Sequence, residues 1–268
     1  MNPREKLKEK QKIVIKIGTS TISFPNGRLN LLRLERLVTV LAKVYQGGAK
    51  VVLVSSGAIA VGAGILGWDK KPDKLSDKQA LAAVGQAELV KIYQKFFETY
   101  GQVVAQVLLT KDGILNPERR RNARNTMNTL LEMDILPIIN ENDTVSTHGI
   151  QFGNNDILSA SVAALIEADL LIMLSDIDGL YSGDPRVIPD ARIISTVSEI
   201  SRDLGKVAKS TAGTSFGTGG MATKLDAVKL CSEVNIDTII TNGKDPEIIY
   251  DILEGKEVGT YFVANNSK

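Results

Sequence analysis

Lys16 stands inside the apolar run Ile13-Val14-Ile15-Lys16-Ile17. Burying an ammonium among β-branched side chains is expensive unless it reaches an anion, or open solvent at the end of the strand. Gly18-Thr19-Ser20 follow at once and offer amides and hydroxyls suited to a phosphate. Near the other end of the chain, Gly217-Thr218-Gly219-Gly220-Met221-Ala222-Thr223-Lys224 reads as a glycine-rich loop entering a helix. Backbone amides free of side-chain bulk at a helix start can cradle phosphate, and Lys224 adds a cation beside them. The spacing is not that of a Walker A loop, and a plain helix-capping loop is the alternative reading. Taken together, Lys16 and Lys224 form a candidate clamp on a transferring phosphoryl group. Such a reaction asks the protein mainly for cations and amides around the equatorial oxygens.

A second polar group gathers Asn140, Asn142, Asp143, His148, Asn154, Asn155 and Asp156. One of the last three can serve as the N-cap of the helix that follows. Amides both donate and accept, which suits an amino-acid substrate; an aspartate there could hold its ammonium or orient the two lysines. His148 follows Val145-Ser146-Thr147 in an expected loop and reads as solvent-exposed rather than as a general base. Gly62-Ala63-Gly64-Ile65-Leu66-Gly67 matches G-x-G-x-x-G, but the strand before it stops near Ser55. A dinucleotide fingerprint must start where strand turns into helix, so close helix packing is expected at these glycines, with Gly57 at the turn itself. Arg119-Arg120-Arg121 with Arg124 reads as a solvated or interface face, and Trp68 and Cys231 carry no functional signal.

The elements that must position these groups alternate along the chain. Nearly continuous apolar runs at 12–18, 50–57, 102–110, 134–140, 169–176 and 237–243 predict strands buried on both faces. Helical patterns occupy 29–45, 77–100, 118–133, 154–168, 223–234 and 246–253. This alternation predicts right-handed βαβ units, a largely parallel sheet and one domain over 1–268. Ligands of such sheets bind beyond the carboxyl ends of the strands. Lys16–Ser20, Ser55-Ser56-Gly57, Asn140–Asp143 and Ser175-Asp176 all fall at such ends. The stretch 182–220, rich in Gly, Ser, Pro and Thr, is expected to be the most mobile. The 268 residues are 43% hydrophobic and 24% charged with a formal net charge of +1, so no overall field draws the chain to nucleic acid or to a membrane. One cysteine and one histidine exclude an intrachain disulfide and a two-histidine metal site. The charged N-terminus reads as neither signal peptide nor membrane span, and a cytoplasmic location is the expectation.

These motifs, in this order, resemble the amino acid kinase family over nearly the whole chain. Lys16–Ser20, Val54–Ile59, Arg121–Asn125, Asn140–Asp143, Phe152–Asp156, Gly179–Arg186 and Gly217–Lys224 resemble in particular its branch that phosphorylates the side-chain carboxylate of L-glutamate. The resemblance implies a three-layer α/β/α sandwich around a mainly parallel sheet, ATP and Mg²⁺ as cofactors, and a product on the path to proline. The N-terminal part would hold mainly the substrate and the C-terminal part mainly the nucleotide. Lys16 and Lys224 match the family's phosphate-stabilising lysines, and Asp156 matches the aspartate that organises the site. Ser56, Asp143 and Asn155 match glutamate-binding positions. Ser175, Asp176 and the segment Thr218, Gly219, Gly220, Met221, Ala222, Thr223 and Lys224 match nucleotide-binding ones. Ser175 stands where the family often has threonine, with the hydroxyl retained. Feedback inhibition by proline and a homodimer or homotetramer are implied too, and the chain stops where many members continue into a PUA domain. Other members of the family, acting on acetylglutamate, aspartate, carbamate or UMP, are the near alternatives; a nicotinamide-dependent oxidoreductase and a non-catalytic binding module are the distant ones.

Overall fold

The computed structural model describes residues 2–24, 28–68, 72–145, 155–185, 187–199 and 220–264. Eight strands form one sheet: β1 (Lys12–Ile17), β2 (Lys50–Ser55), β3 (Val104–Leu109), β4 (Leu136–Glu141), β5 (Leu170–Ser175), β6 (Thr196–Val197), β7 (Asp237–Asn242) and β8 (Thr260–Phe262). Their order across the sheet is β3-β4-β2-β1-β5-β7-β8-β6. All neighbours run parallel except β7 and β8. The six strands expected from apolar runs are present within two residues at each end. The two short ones, β6 and β8, had no counterpart in the sequence pattern, because two or three residues show no periodicity.

β1 lies in the middle of the sheet between β2 and β5, so both of its faces are covered. Successive side chains point to opposite faces. Ile13, Ile15 and Ile17 enter one core with Leu34, Leu37 and Leu41 of helix α2 (Leu31–Gln46), which follows the single turn α1 (Thr19–Ile22). Leu89, Tyr93 and Phe97 of α4 (Leu75–Glu98) join the same layer, behind the short α3 (Ala58–Ile65). Val14 enters the other core, packed by α6 (Pro117–Glu132), α7 (Asn155–Ile166) and α8 (Met221–Ser232). A short α5 (Lys111–Leu115) precedes α6, and α9 (Ile248–Leu253) closes on the first layer. The result is a three-layer α/β/α sandwich. Lys16, two residues after Val14, therefore faces the α7/α8 layer.

Gly57 is the residue with φ of 108° that lets the chain turn from β2 into α3. Gly62 lies inside α3, away from any strand-to-helix turn, and packs on Gly85 of α4. A Cβ on Gly85 would sit 1.8 Å from the Ala58 carbonyl oxygen, and one on Gly62 would sit 2.0 Å from that of Leu81. The G-x-G-x-x-G match thus falls partly in a helix-crossing contact. Both obstacles are backbone, which cannot rotate aside, so Gly85→Ala must push the helices apart. It is expected to cost about 1–3 kcal/mol or more. Thermal unfolding checks this, and an unchanged Tm would contradict the close-packing account.

Arg4 ties the start of the chain to its end. It is buried and donates to the carbonyls of Ser195, Lys256, Val258 and Gly259 at 2.7–3.2 Å.

Candidate active site

Asp156, in the first turn of α7, is fully buried and holds both lysines. Its Oδ1 lies 2.6 Å from Lys16 Nζ and its Oδ2 lies 3.2 Å from Lys224 Nζ. Lys16 and Lys224 are 5% and 4% exposed, so this trio of two cations and one anion sits out of bulk water. Burial pulls the Lys224 pKa below its ordinary value; the Lys16 charge works in the same direction, while Asp156 opposes it and Asp176 raises it further. The anion that a lysine in a central strand requires is therefore supplied by the protein. Thr223, one residue before Lys224, donates to the Gly220 carbonyl at 2.8 Å and reaches Asp156 Oδ2 at 3.4 Å.

Asn155, the first residue of α7, joins the ends of two strands. Its Nδ2 lies 2.8 Å from Ser56 Oγ, 3.1 Å from the Ser55 carbonyl and 3.0 Å from Asn140 Oδ1. Asn140 is buried and donates to Gln86 Oε1 on α4 at 2.7 Å. Seven residues along the same helix, the fully buried Tyr93 hydroxyl meets Ser55 Oγ at 2.9 Å. Gln86 and Tyr93 were missed by sequence reasoning. They lie on the buried stripe of a long helix, and nothing local distinguishes a stripe residue that braces a site from one that only packs.

Asp143 stands beyond the end of β4, beside Asn142 and Thr144, on a cavity of about 260 Å³ that Gln86, Gln106 and Glu141 also line. Burial first, and the Glu141 carboxylate second, push the Asp143 pKa up to about 6. At the end of β5, Ser175 Oγ donates to Asp176 Oδ1 at 3.1 Å, and its carbonyl accepts from Gly243 N–H at 2.8 Å. Gly220 begins α8 without a side-chain cap, and a Cβ there would meet nothing within 4 Å. Met221 is buried and Ala222 exposed. Asp178 nearby accepts from Asn242 at 2.7 Å and from Tyr181 at 3.0 Å, a pairing the sequence did not suggest. Lys16, Asp156 and Lys224 thus form one cluster, and Ser56 and Asn155 a second joined to it through consecutive residues of α7. Thr218, Gly219, His148 and Asn154, like residues 200–219 of the stretch expected to be mobile, lie outside the described residues. Arg119, Arg120, Arg121 and Arg124 are exposed along α6. No helix among the described residues is long and apolar enough to cross a membrane.

The sequence and the fold have parallels among known proteins. Residues 11–242 match the model of the amino acid kinase family. The chain is 50% identical to a glutamate 5-kinase of Clostridium perfringens, covering 99% of this chain and 100% of that one. It is 49% identical to the glutamate 5-kinase of Listeria innocua, over 99% of this chain and 97% of the relative. Among solved structures, the isopentenyl phosphate kinase of T. acidophilum superposes with a TM-score of 0.64 at 20% identity, covering 94% of this chain and 100% of that one, a likeness of fold. The chain belongs to the amino acid kinase family, where it groups with the glutamate 5-kinases.

Proposed function

We propose that this protein transfers the γ-phosphoryl group of ATP to the side-chain carboxylate of L-glutamate, giving L-glutamyl 5-phosphate and ADP, the first step of proline biosynthesis. The observation that carries the mechanism is the buried Lys16–Asp156–Lys224 trio beside the Ser56–Asn155 contact. A glutamate carboxylate oxygen attacks the γ-phosphorus, and the bond to the bridging β-phosphate oxygen breaks. The acceptor is already ionised near neutral pH, so no general base is required. Lys16 and Lys224 neutralise charge on the transferring group and the leaving phosphate, and Asp156 fixes both ammoniums in place. Ser56, Asn155 and Asp143 hold glutamate; Ser175, Asp176 and the segment 218–224 hold the nucleotide. Among the described residues no group of three His, Cys, Asp or Glu side chains is arranged for a metal. Mg²⁺ would enter with the phosphates of ATP rather than in a site built by the protein, and would add to the charge neutralisation by Lys16 and Lys224. Proline inhibition and homo-oligomer formation in the cytoplasm belong to the same reading.

The test is incubation with ATP, L-glutamate and hydroxylamine. A γ-glutamyl hydroxamate forming in step with ADP is expected; ADP release that instead requires another acceptor would overturn the assignment. A pH dependence follows from Asp143. If its ionised form holds the substrate ammonium, kcat/KM for glutamate should fall through an apparent pKa of about 6, by roughly tenfold from pH 7 to pH 5. Asp143→Asn should be weak throughout and should lack that inflection; a wild-type profile flat through this range would remove Asp143 from the role.

A further inference from the structure

We propose that Gln86 is a positioning residue for the acceptor substrate, holding Ser56 in place through Asn140 and Asn155. This deepens the functional reading above and rests on it. Backbone groups fix the direction of the chain of amides at two points. The Glu141 N–H donates to Asn140 at 2.9 Å, so the atom it meets is the oxygen. The Ser55 carbonyl can only accept, so the Asn155 atom facing it at 3.1 Å is the nitrogen. Asn140 consequently turns its NH₂ toward Gln86, whose Oε1 accepts it at 2.7 Å. Asn155 has two N–H protons for three acceptors: one goes to Ser56 Oγ at 2.8 Å, its shortest contact, and the other is shared between Asn140 Oδ1 at 3.0 Å and the Ser55 carbonyl.

The consequence lies at the far end of the chain. Because Ser56 Oγ accepts from Asn155, its own hydroxyl proton is left to be donated, and a donor is what a substrate carboxylate needs. Removing the Gln86 acceptor leaves a buried NH₂ of Asn140 without a partner. Asn140 keeps the bond from the Glu141 N–H but must swing toward another acceptor, which loosens Asn155 and with it the Ser56 hydroxyl. Gln86 touches no reacting atom in this scheme. Its effect is on how well the carboxylate substrate is held, and the nucleotide side is untouched.

Position on the cavity makes the proposal separable from simple packing. Gln86 is 9% exposed and lines the 260 Å³ space shared with Glu141 and Asp143. Gln86→Met fills nearly the same volume and offers only a weak thioether acceptor, so Asn140 gains little in return. Gln86→Ala opens space beside Asn140 onto the cavity that Gln106, Glu141 and Asp143 also line, and a water entering there can accept from Asn140 in place of the glutamine. Gln86→Met is therefore expected to raise KM for L-glutamate by about tenfold, with KM for ATP within about twofold of wild type. Gln86→Ala should raise the glutamate KM by only about threefold. A packing role predicts the reverse order, the alanine being the worse variant.

Steady-state kinetics of wild type and both variants, with each substrate varied, decides the matter. The methionine variant more affected than the alanine variant, and confined to glutamate, supports the proposal. The reverse order, equal rises in both KM values, or no rise overturns it. Should the methionine variant not accumulate as folded protein, an alanine variant with unaltered glutamate KM also overturns it. A wild type that does not turn glutamate over sinks the functional reading and this proposal together; a wild type that does, beside variants of unaltered KM, sinks this proposal alone.

Discussion

Lys224→Ala is expected to lower kcat by about 10³-fold while leaving the fold nearly as stable as wild type. The two halves of this expectation come from the same count of charges. In the trio, two ammoniums share one carboxylate, all with 5% exposure or less. Burial and repulsion from Lys16 already weigh against the charged form of Lys224. Deleting it leaves Lys16 and Asp156 as a balanced pair at 2.6 Å, so no buried charge is stranded. The lost aliphatic stem is the main stability cost, and a fall in Tm of only a few degrees should result. Catalysis has no such compensation. Charge that builds on the phosphate oxygens in the transition state loses a fixed cation in a dry site, where each such group is worth far more than in water. Hydroxamate formation gives kcat, and thermal unfolding gives stability. A kcat within tenfold of wild type would remove Lys224 from the chemistry, and a collapsed fold would show the charge count to be wrong.

The sequence told much of this because the signals were local. A lysine in a β-branched run demands an anion, and the demand is visible without coordinates; the identity of the anion is not. Asp156 stands 140 positions from Lys16 and 68 from Lys224. In sequence it was one of three adjacent polar residues at a helix start, any of which could have been the cap. Only the register of β1, which turns Lys16 toward the α7 layer, selects it. The parallel core was legible because strands buried on both faces are uniformly apolar. The antiparallel edge was not, since Thr260–Phe262 gains its strand conformation from pairing with β7 rather than from its own pattern. Arg4 teaches the same point in reverse: nothing in a charged N-terminal stretch marks one residue for burial, yet this arginine is 1% exposed because four carbonyls from distant segments converge on it. Gln86 and Tyr93 belong to this group as well. Their positions are set by helix periodicity, but their roles are set by strand ends some 40 to 55 residues away in the chain.

Asp156→Asn should fail in both respects where Lys224→Ala fails in one. The substitution keeps the shape of the side chain and removes the buried negative charge that the two lysines share. Two buried ammoniums are then left facing each other, and breaking a buried pair this way costs about 3–5 kcal/mol. For a chain of this size that is a Tm lower by roughly 10 °C. The first turn of α7 also loses an acid that favours its N-terminus, a smaller effect in the same direction. Turnover should fall by at least about 10³-fold, because both cations lose the group that aims them. The variant has one way to relieve itself: a lysine can give up its proton. The folded-state Lys224 pKa then lies below the ordinary 10.5, so the unfolded chain binds more protons than the folded one and stability rises with pH. The Tm deficit against wild type should therefore narrow as pH climbs toward that value. ATP supplies the missing negative charge by another route, and should raise the Tm of the variant by more than that of wild type. A Tm deficit that ignores both pH and ATP would mean that Asp156 is held for the helix rather than for the lysines.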